Sequence, residues 1–149
     1  MPRIDAFDEA VIDGPPLVVF KTILDEYAGI THWRMPLKES KIREGTPHGR
    51  EGAIYDGTVH IRGTPKGSLK ITKIVEGKLI EFEEEGDFVG TGIWTFEPTN
   101  GKTKIGYRWS GRPKRLLIRL LSPFINIRKM HSDQQQKTFT ALNSYLSKK

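Results

Sequence analysis

The chain of 149 residues has no cysteine, and that one absence removes disulfides, thiolate metal ligands and cysteine nucleophiles together. Histidine is scarce: His32, His48, His60 and His131 lie far apart with no HxxxH spacing, so neither a metal site nor a metal cofactor is expected. No run approaches the roughly 18 apolar residues of a membrane span, and the opening MPRIDAFDEA lacks the apolar segment of a signal peptide. Cytoplasmic residence is the resulting expectation. Ser110 and Ser122 have no adjacent histidine or acid to make either a nucleophile. The glycines at 90 and 92 sit in a strand context, which excludes a phosphate loop.

Acid is missing from one end only. Residues 1–98 hold 12 Lys and Arg against 17 Asp and Glu, whereas residues 99–149 hold 12 against one, Asp133. The excess positive charge of this basic chain therefore belongs to its last strand and last helix. A solvated helix face explains such a concentration, and so does contact with an anionic membrane surface. No nucleic-acid-binding motif accompanies the charge, so nucleic acid is not an expected partner.

What is present reads as one domain over residues 1–149. Phe7 to Ile12 reads as a strand, followed by Asp13-Gly14-Pro15-Pro16, where Asp13 or Gly14 can cap a helix and a proline can occupy its first turn. Val19, Phe20, Ile23, Leu24 and Tyr27 then mark one helical face that Gly29 ends. A short helical or irregular piece around Ile30 to Trp33 and a strand over Met35 to Ile42 follow. From Gly52 the period becomes two, with turns at 62–67, 76–78, 86–90 and Asn100-Gly101. Tyr55, Val59, Leu69, Ile71, Phe82, Trp94, Phe96, Tyr107 and Trp109 fall on one face of these strands, and Glu84 shares it. Gly111 and Pro113 read as sheet breakers opening a long C-terminal helix over Pro113 to Lys149. Its stripe is Leu117, Leu120, Phe124, Ile127, His131, Gln135, Thr138, Leu142 and Tyr145, with Leu121 and Arg128 at the margin. Ser122-Pro123 can kink that helix or cap a second one.

The fold class is therefore α+β: a curved antiparallel sheet of about seven strands wrapped around a long C-terminal helix, with two short helices between strands 1 and 2. In this order, with Ile12-Asp13-Gly14-Pro15-Pro16-Leu17-Val18-Val19-Phe20, Asp25, Trp33 and the Gly90-Thr-Gly-Ile-Trp-Thr-Phe96 run, the chain resembles the helix-grip superfamily (SRPBCC) of START-like, Bet v 1-like and polyketide cyclase/dehydratase-like domains. The resemblance covers essentially the whole chain and rests on structural motifs. It implies a cavity between sheet and helix that receives a lipid, polyketide, hormone or quinone.

The ligand-lining set would be Tyr55, Val59, Phe82, Glu84, Trp94, Phe96, Tyr107 and Trp109 from the sheet, facing Leu117, Leu121, Phe124, Arg128, His131 and Gln135 from the helix. His131 can act as a general acid or base or donate to a ligand carbonyl. Glu84, an inward carboxylate, needs a partner, for which Arg128 and His131 are the candidates. Three readings stand: a binder of a hydrophobic or amphipathic small molecule; a cyclase/dehydratase-type enzyme moving a proton with His131 or Glu84; and a lipid or quinone chaperone at a membrane surface. Whether the chain is an enzyme stays open, as do the ligand, the cavity size and the oligomeric state.

Overall fold

In the computed structural model, residues 3–34, 38–59, 66–114 and 126–148 are described. Seven strands form a single antiparallel sheet: β1 (Ile4–Ile12), β2 (Lys38–Ile42), β3 (Ile54–Val59), β4 (Lys66–Val75), β5 (Leu79–Gly86), β6 (Phe88–Thr99) and β7 (Lys102–Pro113). Their order is β1-β7-β6-β5-β4-β3-β2, so the chain enters at one edge, crosses to the other and returns strand by strand. Among the described residues two helices accompany the sheet, α1 (Pro16–Ala28) and α2 (Ile127–Ser147). This is the Bet v 1-like helix-grip architecture, a curved sheet with a C-terminal helix. No helix among the described residues is long and apolar enough to cross a membrane.

Helix α1 begins where proline is cheapest. Pro15 is the N-cap, with extended dihedrals, and Pro16 is the first helical residue, where no intrahelical N–H is lost. Asp13 does not cap the helix: its N–H donates to Asn143 Oδ1 (2.8 Å) and its carboxylate meets Lys102 Nζ (2.9 Å). Gly29 stops α1 at φ 81°, and a Cβ there would lie 2.6 Å from the Ser40 carbonyl oxygen, so both conformation and space require glycine. The piece around Ile30 to Trp33 is the irregular alternative, a bend followed by a turn at residues 33 and 34, so among the described residues one helix, not two, stands between β1 and β2. The expected strand start at Met35-Pro36 lies outside the described residues.

The period-two reading of the sheet holds at the core positions. Tyr55, Ile71, Ile80, Phe82, Trp94, Phe96, Ile105, Tyr107 and Trp109 are buried, whereas Lys70, Glu83, Glu97 and Arg108 between them are exposed. A register shift between Ile71 and Lys73 in β4 interrupts the alternation there.

The helix at the C-terminus departs most from the sequence reading. Pairing of β6 with β7 continues to Phe88↔Pro113, and Lys114 N–H still donates to the Asp87 carbonyl (2.8 Å). Gly111 and Pro113 therefore end a ladder rather than open a helix. Helix α2 starts at Ile127, where the Asn126 side chain accepts from Lys129 N–H (3.0 Å) as a cap. Leu117, Leu121, Phe124 and the Ser122-Pro123 joint lie outside the described residues. Two contacts pin α2 to β1: Ser132 Oγ donates to Asp8 (3.1 Å), and Asn143 Nδ2 to the Val11 carbonyl (3.1 Å).

Candidate functional site

The floor of the site is made by strands β5, β6 and β7, and its shape depends on two missing side chains. Gly90 and Gly92 are buried on β6, with Gly92 paired to Phe82 on one side and Trp109 on the other. A Cβ on Gly92 would run into the Phe82 ring. With β6 bare at this point, the Trp109 indole spans it from β7 and donates its Nε1–H to Glu84 Oε2 on β5, at 2.6 Å. Glu84 thus sits half-buried on the inward face, with an indole as partner where the sequence suggests Arg128 or His131. Arg128 is exposed in the first turn of α2, because it lies at the margin of the helical stripe and the helix turns that margin to solvent.

His131 arrives from above. Its ring stacks on Trp109 with centroids 4.7 Å apart and planes at 17°, and on Tyr107 at 5.7 Å and 29°. One turn later, Gln135 is 7% exposed and its Nε2 has no hydrogen-bond partner among the described residues. Tyr107 also stacks on Trp94 at 4.3 Å and lies against Phe82 at 6.1 Å. The structure therefore brings Phe82, Glu84, Trp94, Tyr107, Trp109 and His131 together, with Gln135 buried one helical turn from His131. Phe96 and Tyr55 are buried elsewhere, Phe96 against Phe20 and Tyr55 against Tyr27. The Tyr55 hydroxyl accepts from Gly49 N–H (3.0 Å) and meets His48 Nδ1 (3.0 Å), whose Nε2 lies 3.2 Å from Asp25 Oδ1. That chain ties α1 to the loop after β2. The side chain of Val59 is outside the described set.

A second polar group, unsuspected from the sequence, closes the far side. Glu26 on α1 is 5% exposed, and its carboxylate accepts from Thr31 Oγ1 (2.7 Å), Trp33 N–H (3.2 Å) and Arg34 N–H (2.8 Å). It folds the turn after α1 back on itself and carries the Arg34 side chain inside, 9% exposed, with its guanidinium 5.1 Å above the Tyr27 ring. The Tyr27 hydroxyl in turn accepts from Trp94 Nε1 (3.1 Å), joining this corner to the aromatic floor. Glu26 stands three residues after Ile23 on the apolar face of α1, and that spacing is the available signal. Trp33 and Arg34 lie in a turn, where no periodicity marks a residue as inward.

Burial raises the pKa of the Tyr27 hydroxyl above its ordinary value and that of Tyr107 well above it; in both, Glu84 adds to the rise and Arg34 opposes it. Both phenols are neutral donors at neutral pH. Among the described residues, no group of three or more His, Asp or Glu side chains comes together as a metal site would need. A groove of about 940 Å³ lies on the outer face of β2 to β5, lined by residues such as Lys41, Arg43, Asp56, Ser68 and Glu83. Arg43 there makes two bonds to Asp56, and Ser68 a third, so its main charges are already matched.

Known structures agree with this geometry at the level of the fold. Ara h 8.0201 aligns over 99% of this chain and 100% of its own, with TM-score 0.73 and 18% identity. TTHA0849 from Thermus thermophilus aligns over 95% of each chain, with TM-score 0.72 and 15% identity. CV1439 from Chromobacterium violaceum covers 94% of this chain and 95% of its own at TM-score 0.70 and 18% identity. No family model matches the sequence, and no curated protein matches it. At these identities the likeness establishes the helix-grip fold.

Proposed function

We propose that the protein binds a hydrophobic or amphipathic small molecule, of lipid, polyketide or quinone type, between the inward face of β5 to β7 and the N-terminal half of α2. The observation that carries this reading is Gln135. A buried amide with an unmatched N–H costs about 1–3 kcal/mol unless something satisfies it, and Gln135 Nε2 is buried without a partner among the described residues, one helical turn from His131, whose ring stacks on Tyr107. A core selected only for stability would place an apolar side chain there. Large aromatic walls with a few inward polar groups are the usual composition of a small-molecule site.

The reading is tested by native mass spectrometry of the purified protein, together with titration of the neutral fluorophore N-phenyl-1-naphthylamine. Binding of the fluorophore, weakened by Gln135→Trp, supports it; an empty protein that binds no apolar probe overturns it.

A second reading is proton transfer of the cyclase/dehydratase kind. It is favoured by the placement of Glu84 and His131 on the same indole, one at its N–H and the other on its face. A poly-carbonyl substrate lying along that floor would meet an acid–base pair, with orientation supplying part of the rate. A His131→Ala variant that converts such a substrate at the wild-type rate removes His131 from the reaction.

A further inference from the structure

We infer that the buried end of the ligand is a carboxylate, received by Arg34 with Gln135 and Trp33 as further N–H donors; this rests on the ligand-binding reading above. Among the described residues, Trp33 Nε1, Arg34 Nε and Gln135 Nε2 are buried without a hydrogen-bond partner, and no side-chain oxygen is in that state. Donors left over without acceptors call for a ligand that brings lone pairs and no hydrogens. An ionised carboxylate is acceptor-only.

Trp33 and Arg34 are neighbours, and a chain of ring contacts runs from them to His131, one turn before Gln135. The Arg34 guanidinium lies 5.9 Å from the Trp33 ring and 5.1 Å from that of Tyr27. Tyr27 is bonded to Trp94, Trp94 stacks on Tyr107, and Tyr107 stacks on His131, one helical turn before Gln135. Arg34 also acts electrostatically on both Tyr27 and Tyr107, opposing the effect of burial on their hydroxyls, so its charge is felt inside the site.

Glu26 forms an ion pair with Arg34, 3.9 Å from Oε2 to Nε, that balances part of the arginine's charge without taking its N–H groups. Its carboxylate is occupied by one hydroxyl and two backbone N–H groups, and its approach to Arg34 Nε, at 3.9 Å, is too long for a hydrogen bond. Glu26 is a positioning residue that shapes the turn and sets the guanidinium over Tyr27. The planar fork of the guanidinium matches a carboxylate in two parallel bonds, which a lysine would not reproduce. Charge also sets the limit: with Glu84 nearby, a singly charged head is accommodated where a phosphate dianion would be opposed. The apolar body of such a ligand would then run along Trp94, Tyr107 and Trp109.

The test compares two probes of equal length in the full-length protein, decanoate and 1-decanol, by displacement of N-phenyl-1-naphthylamine near neutral pH. Decanoate is expected to bind about tenfold more tightly than decanol, the size of one charge-assisted contact. Arg34→Met should bring the two probes to within about twofold of each other, with decanol unchanged, and Arg34→Lys should restore only part of the preference. Should Arg34→Met not fold, Gln135→Met gives an independent reading, with a loss of about threefold in decanoate affinity and none for decanol. Equal affinity for acid and alcohol in the wild-type protein, or a preference that survives Arg34→Met, overturns the carboxylate inference while leaving the binding reading intact. Failure of the fluorophore and both probes to bind overturns the two together.

Discussion

The two halves of α2 meet the same sheet on different terms. The C-terminal half contributes Leu142 and Leu146 to the apolar core, which also holds Ile12, Val19, Phe20, Phe96 and Ile105, and Phe139 links that core to Trp94 on the floor. The N-terminal half offers His131, Ser132 and Gln135 to a floor that includes Glu84 and Tyr107, and it leaves an amide donor unmatched among the described residues. One end of the interior is closed by apolar side chains, and the other carries the polar groups of the proposed site. If the proposed site is used, substitutions at the two ends of this helix should separate stability from binding.

The largest effect expected is at the closed end. Leu142 is fully buried, so Leu142→Ala should cost about 2–5 kcal/mol in chemical denaturation, with probe binding at the other end retained wherever the protein is folded. Gln135→Met should do the reverse, changing stability by less than about 1 kcal/mol, because it removes an unmatched buried donor, while weakening decanoate binding. Equal stability losses at the two positions would erase the distinction between them. Next in size is Gly92→Ala, whose new methyl meets the Phe82 ring; overpacking of this kind costs about 1–3 kcal/mol. It should also reduce binding by filling the floor where Trp109 crosses β6.

A pH effect sharpens the comparison further. Tyr107 and Tyr27 have folded pKa values raised by burial above the ordinary 10.0 of an exposed phenol. Groups raised in this way stabilise the fold fully below the unfolded pKa, and the contribution is lost as pH rises from about 10 through the folded value. Stability should therefore decline on the alkaline side, and Tyr107→Phe should make the decline shallower in denaturation curves taken from about pH 9 to about 11.5, on either side of the free phenol's pKa. The smallest effect concerns the outer surface. Arg112 and Lys114 at the end of β7 and Arg128 and Lys129 at the start of α2 are exposed, and co-sedimentation with anionic vesicles should be weak and should fall as salt rises. Salt-independent sedimentation, or none, would remove the membrane contact.

Most of the sheet was legible because period-two patterning survives wherever one face is buried. Trp94, Phe96, Ile105, Tyr107 and Trp109 all fall where the alternation puts them. The start of α2 was not legible, since Gly111 and Pro113 break strands in general, yet here they finish a ladder paired to Gly90 and Phe88. The polar residues of the site divide in the same way. His131, Gln135 and Glu84 stood out because each interrupts an apolar stripe. Arg34 interrupts nothing: it follows a helix stop and points inward only because Glu26 gathers the backbone N–H groups of residues 33 and 34. Long-range capture of a turn leaves no period in a sequence.

The chain's three tryptophans, Trp33, Trp94 and Trp109, allow the central claim to be read directly. Each gives one indole N–H resonance, and Trp109 lies on the floor of the proposed site beneath His131. Titration of isotopically labelled protein with N-phenyl-1-naphthylamine should shift the Trp109 resonance saturably, together with the Gln135 side-chain amide. Indole resonances that stay fixed at saturation, with shifts confined to Arg43, Asp56 and Ser68 in the outer groove, would contradict it.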